Sequence, residues 1–228
     1  MQPVRSRLAV FGGTFNPVHI GHLFLAGEVI RRGLVDEVLF VPAGIPPHKA
    51  DLELAPGPDR FEMLRLALEP FSAFSLSDIE LQRSDAPSYT LDTLDTLRVA
   101  FPEHDLTFLL GMDCLLELHT WYRATELVSQ FNFLIYPRPG VVAPKFVTLA
   151  DYFGNKNART LVGAILEDVP QLPVGATAIR HLCATGGNLA GMVPESVLTY
   201  LQKQELYGYK KCGKKGQRRP AAGPGPGE

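Results

Sequence analysis

The segment that most constrains this chain lies near its start. An unbroken apolar run, Leu8-Ala9-Val10-Phe11, stops at Gly12-Gly13, and a helical pattern begins at Ile20. A run without polar alternation suits a strand covered on both faces, as in a parallel sheet. A helix is expected over residues 20–32, with Leu23, Ala26, Gly27 and Ile30 near one face and Gly33 as its C-cap. Residues 38–41 form the next apolar run. Strand, helix and strand within about 35 residues make a βαβ unit.

The same alternation continues. A polar, proline-rich loop over residues 42–58 carries Pro46-Pro47-His48-Lys49. A helix is expected from 59 to 68, a short strand at 74–76, and a helix capped by Ser88 or Thr90 and running to about Ala100, with Leu91, Leu94 and Leu97 apolar. Strands are expected at 107–110, ending in Gly111-Met112-Asp113, and at 131–136, ended by Pro137-Arg138-Pro139-Gly140. Residues 141–161 show no clear period. Residues 160–166 read as a strand, 176–183 as a helix, and 194–206 as a helix opened by Pro194, with Gly208 beyond its end. The fold class is therefore α/β, a mainly parallel sheet with helices on both faces.

Composition narrows the functional classes. At 228 residues the chain can bury the core of one such domain. A net charge of −2 supplies no basic field for nucleic acid or an anionic membrane. Cys114, Cys183 and Cys212 stand far apart with no CxxC pair, which suggests isolated thiols rather than zinc or a disulfide framework. The apolar run at 8–11 is too short for a signal peptide, and no stretch approaches the ~20 apolar residues of a membrane helix. A cytoplasmic protein is expected by default. After Tyr209 the chain turns to lysine, arginine, glycine and proline. The folded domain is accordingly placed at residues 1–209 and a disordered tail at 210–228.

The chemistry is expected at the first glycine turn. In open α/β sheets, ligands bind outside the carboxyl ends of the strands. Gly12 and Gly13 let the backbone turn sharply and approach a phosphate without a Cβ in the way. The following helix aims its free N–H groups at the same place. His19 and His22, three apart, share one face there, and Gly21 between them keeps the surface open. A Gly-Gly after a strand is by itself commonly just a turn. Paired histidines serve equally as surface residues or metal ligands. Neither Walker A nor GxGxxG occurs, which argues against P-loop and dinucleotide-fold readings.

The string Gly12-Gly13-Thr14-Phe15-Asn16-Pro17-Val18-His19-Ile20-Gly21-His22 resembles the (H/T)xGH signature of the nucleotidyltransferase superfamily, here as HxGH. The likeness extends through Pro46-Pro47-His48-Lys49, Pro87-Ser88-Tyr89-Thr90, Gly111-Met112-Asp113, Thr120-Trp121-Tyr122 and Arg138-Pro139-Gly140. These fall in the order of the bacterial nicotinate-nucleotide adenylyltransferases, and together they cover residues 6–209. The resemblance implies a Rossmann-like, doubly wound sheet. It implies transfer of AMP from ATP to nicotinate mononucleotide, giving deamido-NAD and pyrophosphate in NAD biosynthesis.

By the same resemblance, His19 and His22 stabilise the ATP phosphates in the transition state, Lys49 reaches phosphate from its loop, and Gly12, Gly13, Thr14 and Phe15 line the nucleotide cleft through their backbone. Asp113 resembles the family's nucleotide-binding aspartate, facing ribose or hydrated Mg²⁺. Trp121 stacks on the pyridine ring, and backbone N–H groups near Thr90 and Tyr122 read its carboxylate, which only accepts hydrogen bonds. Mg²⁺ is implied as a partner of ATP, carried by the phosphates with no direct protein ligand expected. The family's Ile-Ser-(Ser/Ala)-Thr-x-Ile-Arg appears here as Val174-Gly175-Ala176-Thr177-Ala178-Ile179-Arg180. Thr177 and Arg180 remain at a helix start suited to phosphate. Gly175 replaces a serine, forfeiting a hydrogen bond worth about 1–3 kcal/mol to a charged oxygen. Asn16 stands where aspartate is common and is expected to cap the turn.

Two rival readings remain. One is the same chemistry on another acceptor, such as the amide mononucleotide, phosphopantetheine or a cytidylyltransferase substrate. Phosphopantetheine enzymes usually carry Thr in place of His19 and lack the Ser-Tyr-Thr and Trp-Tyr segments. The other is a non-catalytic nucleotide-binding module, favoured by Gly175 and opposed by His19, His22, Lys49 and Arg180. Partners beyond ATP and the mononucleotide are not indicated, and a homo-oligomer is left open.

Overall fold

The computed structural model describes residues 5–45, 54–83 and 87–209. Lys49 and the expected tail lie outside these. Five strands form one sheet: β1 (Ser6–Gly13), β2 (Glu37–Pro42), β3 (Phe74–Leu76), β4 (His104–Gly111) and β5 (Asn132–Tyr136). The order is β3-β2-β1-β4-β5, with every neighbouring pair parallel. The chain winds outward from β1 through β2 to β3, then returns to β4 and β5. The carboxyl ends of β1 and β4, adjacent and diverging in connectivity, thus frame the crevice where ligands bind in such sheets.

Side-chain alternation along each strand feeds two cores. Leu8 and Val10 of β1, with Phe108 and Leu110 of β4, join one core. That core is covered by α3 (Thr90–Ala100), α4 (Met112–Glu117), α5 (Ala124–Gln130) and α6 (Phe146–Gly163). Ala9, Phe11, Phe40 and Leu109 point the other way, beneath α1 (Ile20–Arg31), α2 (Gly57–Leu68), α7 (Ala176–Thr185) and α8 (Glu195–Lys203). Both faces being buried explains the unbroken apolar runs.

The expected strand at residues 160–166 is not there. Residues 160–163 close α6, and only Ile165 bridges Ile135 beside β5. The β-branched Thr160, Val162 and Ile165 suggest a strand, but packing of Ala158 and Leu161 into the core holds the helix. Gly154 interrupts α6 with φ 78°, so its apolar positions do not keep one helical period. That break hides the element in the sequence. The short helices α4 and α5 were likewise not anticipated. α3 starts with Tyr89 in the cap position and no side-chain hydrogen bond there, so neither Ser88 nor Thr90 caps it.

Candidate active site

β1 delivers the glycine turn to the carboxyl edge of the sheet. Space is tight: a Cβ on Gly12 would come within 3.2 Å of the Phe108 ring, and one on Gly13 within 3.2 Å of the Phe15 ring. Phe15 adopts φ 44°, a left-handed conformation costly for a bulky residue. Its side chain is buried, edge-on to His22 at 5.0 Å. Phe15 therefore lends its ring to the core and supports the second histidine from behind.

His19 occupies the N-cap of α1, and His22 sits in its first turn. Their rings stack at 3.7 Å and 24°. The backbone N–H of His19 donates to His22 Nδ1 at 3.2 Å, so a neutral His22 carries its proton on Nε2. Burial, and then the nearby charge of Arg138, lowers the His19 pKa to about 4. Burial also pushes His22 well below its ordinary value, helped by His19 and Arg138. Both imidazoles are thus neutral donors at pH 7. His19 Nδ1 is buried on the helix side of its ring, where the His19 and His22 side chains complete a capping box with each other's backbone. A Cβ on Gly21 would come within 3.0 Å of His19 Nδ1 and of Val174, so a larger residue here would have to push the imidazole or Val174 aside.

Both imidazoles line a cavity of about 80 Å³ with Tyr136, Arg138 and Val174. Arg138 donates to the Tyr136 hydroxyl at 2.7 Å and pairs with Asp113 at 3.0 Å. Asp113 is in the first turn of α4, beyond β4, and Gly111 leaves the space this pair occupies. Arg138 belongs to the quoted Arg-Pro-Gly segment but had no assigned role. The signal available was a cation just past a buried strand, on the edge where ligands bind.

A second cavity, of about 160 Å³, opens on the other side of the glycine turn. Gly12, Gly13 and Thr14 line it, as do Thr90, Trp121 and Tyr122. Trp121 leans edge-on against Phe108 at 6.2 Å, and Tyr89 stacks on Tyr122 at 4.4 Å. The start of α3 lacks a side-chain cap and reaches this cavity through Ser88, Tyr89 and Thr90, leaving first-turn N–H groups for an anion. Glu80, which no motif marked, also lines it. Its carboxylate accepts from the Thr93 hydroxyl at 2.9 Å, and burial raises its pKa.

α7 brings the last motif to the same edge. Gly175 is its N-cap, and a Cβ there would meet nothing within 4 Å. Arg180 donates to the Asn16 carbonyl at 2.8 Å and to the Thr177 hydroxyl at 3.3 Å. Asn16 Oδ1 does more than shape its own turn. It accepts from the Ala55 N–H at 3.0 Å and from the Tyr207 hydroxyl at 2.7 Å. Of the expected site residues, His19 and His22 line the first cavity and Gly12, Gly13, Thr14, Thr90, Trp121 and Tyr122 the second, while Arg180, with Thr177 beside it, lines neither and reaches the turn through the Asn16 carbonyl. The pair formed by Asp113 and Arg138 reaches between, since Arg138 lines the first cavity and Cys114, next to Asp113, the second. Among the described residues no cluster of three or more acidic, histidine or cysteine side chains is assembled for a metal ion. No described helix is long and apolar enough to cross a membrane.

Comparison with known proteins agrees with this geometry. The cytidylyltransferase-like family model matches residues 10–182. A relative from Carboxydothermus hydrogenoformans, described as "Probable nicotinate-nucleotide adenylyltransferase", is 36% identical over 202 residues, covering 89% of this chain and 98% of its own. One of the same description from Dehalococcoides mccartyi is 37% identical over 205 residues, covering 90% and 98%. Among solved structures, nicotinic acid mononucleotide adenylyltransferase of Plasmodium falciparum complexed with NaAD superposes with a TM-score of 0.72 at 17% identity, over 90% of this chain and 98% of that one. That likeness speaks for the fold. With its HxGH turn, its parallel sheet and relatives matched almost end to end, the chain belongs to the cytidylyltransferase-like family and, within it, to the nicotinate-nucleotide adenylyltransferases.

Proposed function

We propose that this enzyme transfers the AMP of ATP to the phosphate of nicotinate mononucleotide, releasing pyrophosphate, with ATP phosphates beside His19, His22 and Arg138 and the mononucleotide against Trp121. The observation that carries the reading is the stacked pair of neutral imidazoles, facing a cavity shared with Arg138 at the start of a helix. The attacking phosphate oxygen is already ionised, its second pKa being about 6, so no general base is needed. The protein's task is alignment and charge stabilisation. Neutral His19 and His22 donate N–H groups. Positive charge comes from Arg138 and Arg180. Mg²⁺ held by the ATP phosphates would supply charge neutralisation at the leaving pyrophosphate. Asp113, with a side chain 48% exposed at the end of β4, is the acidic group suited to its water shell. The α3 terminus and the Trp121 face suit the ring carboxylate and the electron-poor pyridinium. Lys49, outside the described residues, is assigned a phosphate contact on the motif alone.

One observation favours a competing acceptor. Among the described residues, the charged side chains on the mononucleotide cavity are Glu80 and Glu117, and carboxylates oppose an anionic ring while they could accept from an amide. The deciding experiment is a substrate panel: pyrophosphate release from Mg-ATP with nicotinate mononucleotide, its amide and phosphopantetheine. Turnover strongly favouring the acid form is expected. Equal rates with acid and amide would defeat the assigned selectivity, and silence with every acceptor would return the chain to a binding module. His19→Ala and His22→Ala should each lower kcat by about 10²-fold, the usual cost of a lost transition-state donor. An unchanged kcat in either would remove that residue from the mechanism.

A further inference from the structure

The C-terminal turn reaches the glycine turn in a way no motif describes. Residues Leu206–Gly208 form a single 3₁₀ turn after α8. Glu205 and Tyr207 both take left-handed conformations, φ 52° and 57°, which non-glycine residues adopt at a cost. This hook directs the Tyr207 hydroxyl to Asn16 Oδ1 at 2.7 Å, across 191 positions of sequence. Asn16 is 2% exposed, and its own carbonyl receives Arg180 Nη1 at 2.8 Å. The same turn is gripped from below by buried Arg60, which donates to the Thr14 carbonyl at 2.9 Å and the Ala55 carbonyl at 3.0 Å. Ala55 in turn donates to Asn16 Oδ1. Asn16 is therefore the node where the hook, the residue-55 segment and α7 meet.

We propose that Tyr207 is a positioning residue for Arg180, acting through Asn16. This rests on the reading that Arg180 binds the ATP phosphates. A free arginine side chain carries rotamer entropy that phosphate binding must overcome. Docked on the Asn16 carbonyl and the Thr177 hydroxyl, the guanidinium is ordered beforehand, with further N–H donors left over for a phosphate. Asn16 can hold its carbonyl in place only if its side chain is fixed. Tyr207 supplies one of the donors that fix it. Burial pushes the Tyr207 phenol upward, so it remains a protonated donor at neutral pH. The hook's backbone cost is retained where its product is an aligned arginine.

The test compares wild type with Tyr207→Phe in the full chain, measuring binding of inorganic pyrophosphate and of nicotinate mononucleotide by calorimetry, without turnover. Loss of one fixing hydrogen bond should weaken pyrophosphate about five- to tenfold, while mononucleotide affinity stays within about twofold. A merely structural role would weaken both alike. Tyr207→Phe on an Arg180→Lys background should add less than about twofold, because the group it positions is already impaired. Unchanged pyrophosphate binding, equal loss for both ligands, additive losses in the double variant, or no pyrophosphate binding by wild type would each overturn the proposal. Because these measurements need no catalysis, failure of the substrate panel is read separately from them.

Discussion

His19 is kept neutral by its surroundings, and that has a measurable consequence. In the unfolded chain its imidazole titrates near 6.5, in the folded protein at about 4. Between those values the unfolded chain holds the extra proton, so stability falls as pH drops from 6.5 to 4 and levels off below. For a residue this buried, the shift corresponds to roughly 3 kcal/mol. Urea midpoints should decline across that window, and His19→Asn should flatten part of the decline. A profile identical in wild type and variant would contradict the assigned pKa. Gly175 offers a second prediction. Its φ of −153° is extended backbone open to any residue, and a Cβ there meets nothing, so nothing in the packing enforces glycine. Gly175→Ser should restore a phosphate donor and an N-cap, lowering KM for ATP about three- to tenfold in steady-state assays. A raised KM would show that the site has adapted to glycine.

At the level of elements, the proposed acid selectivity can be tested at the start of α3. Tyr89 precedes it with φ −98° and ψ 132°, a conformation compatible with a following proline, and Thr90 is the first helical residue. Proline is well tolerated there and removes the backbone N–H, along with the Thr90 hydroxyl. Thr90→Pro should keep the helix by circular dichroism yet reduce the ratio of kcat/KM for acid over amide mononucleotide by about tenfold. An unaltered ratio would move carboxylate recognition elsewhere. The sequence displayed this element well, because Leu91, Leu94 and Leu97 keep the helical period. It did not display α6, where Gly154 breaks the period, nor the cap of α3, because Ser88 and Thr90 each look like better caps than Tyr89. Arg138 was visible as part of a motif, but its pairing with Asp113 depends on β4 and β5 lying side by side.

On the scale of the molecule, one sheet serves two cores, so neither half can melt alone without stripping the other's strands. Leu94 and Leu64 are both fully buried, on opposite faces. Leu94→Ala and Leu64→Ala should each cost about 2–5 kcal/mol and lower one common transition in chemical denaturation. Separate transitions for the two faces would contradict this shared dependence. The arrangement also places the glycine turn, His19, His22, Asp113 and Arg138 just beyond the carboxyl ends of β1, β4 and β5, where strands meet the less regular segments that carry these groups.

The amino-acid order alone determined the local features: apolar runs that demand a two-sided sheet, a glycine turn that lets phosphate approach, and histidines spaced to share a helix face. These are short-range properties, set by side-chain volume, backbone freedom and helical period. Tertiary structure alone decided which groups are charged and which are held still. Burial beside Arg138 makes His19 neutral, and the hook at Tyr207 fixes Asn16 from 191 positions away. Desolvation and long-range contact depend on what the folded chain brings together, and no local pattern encodes that.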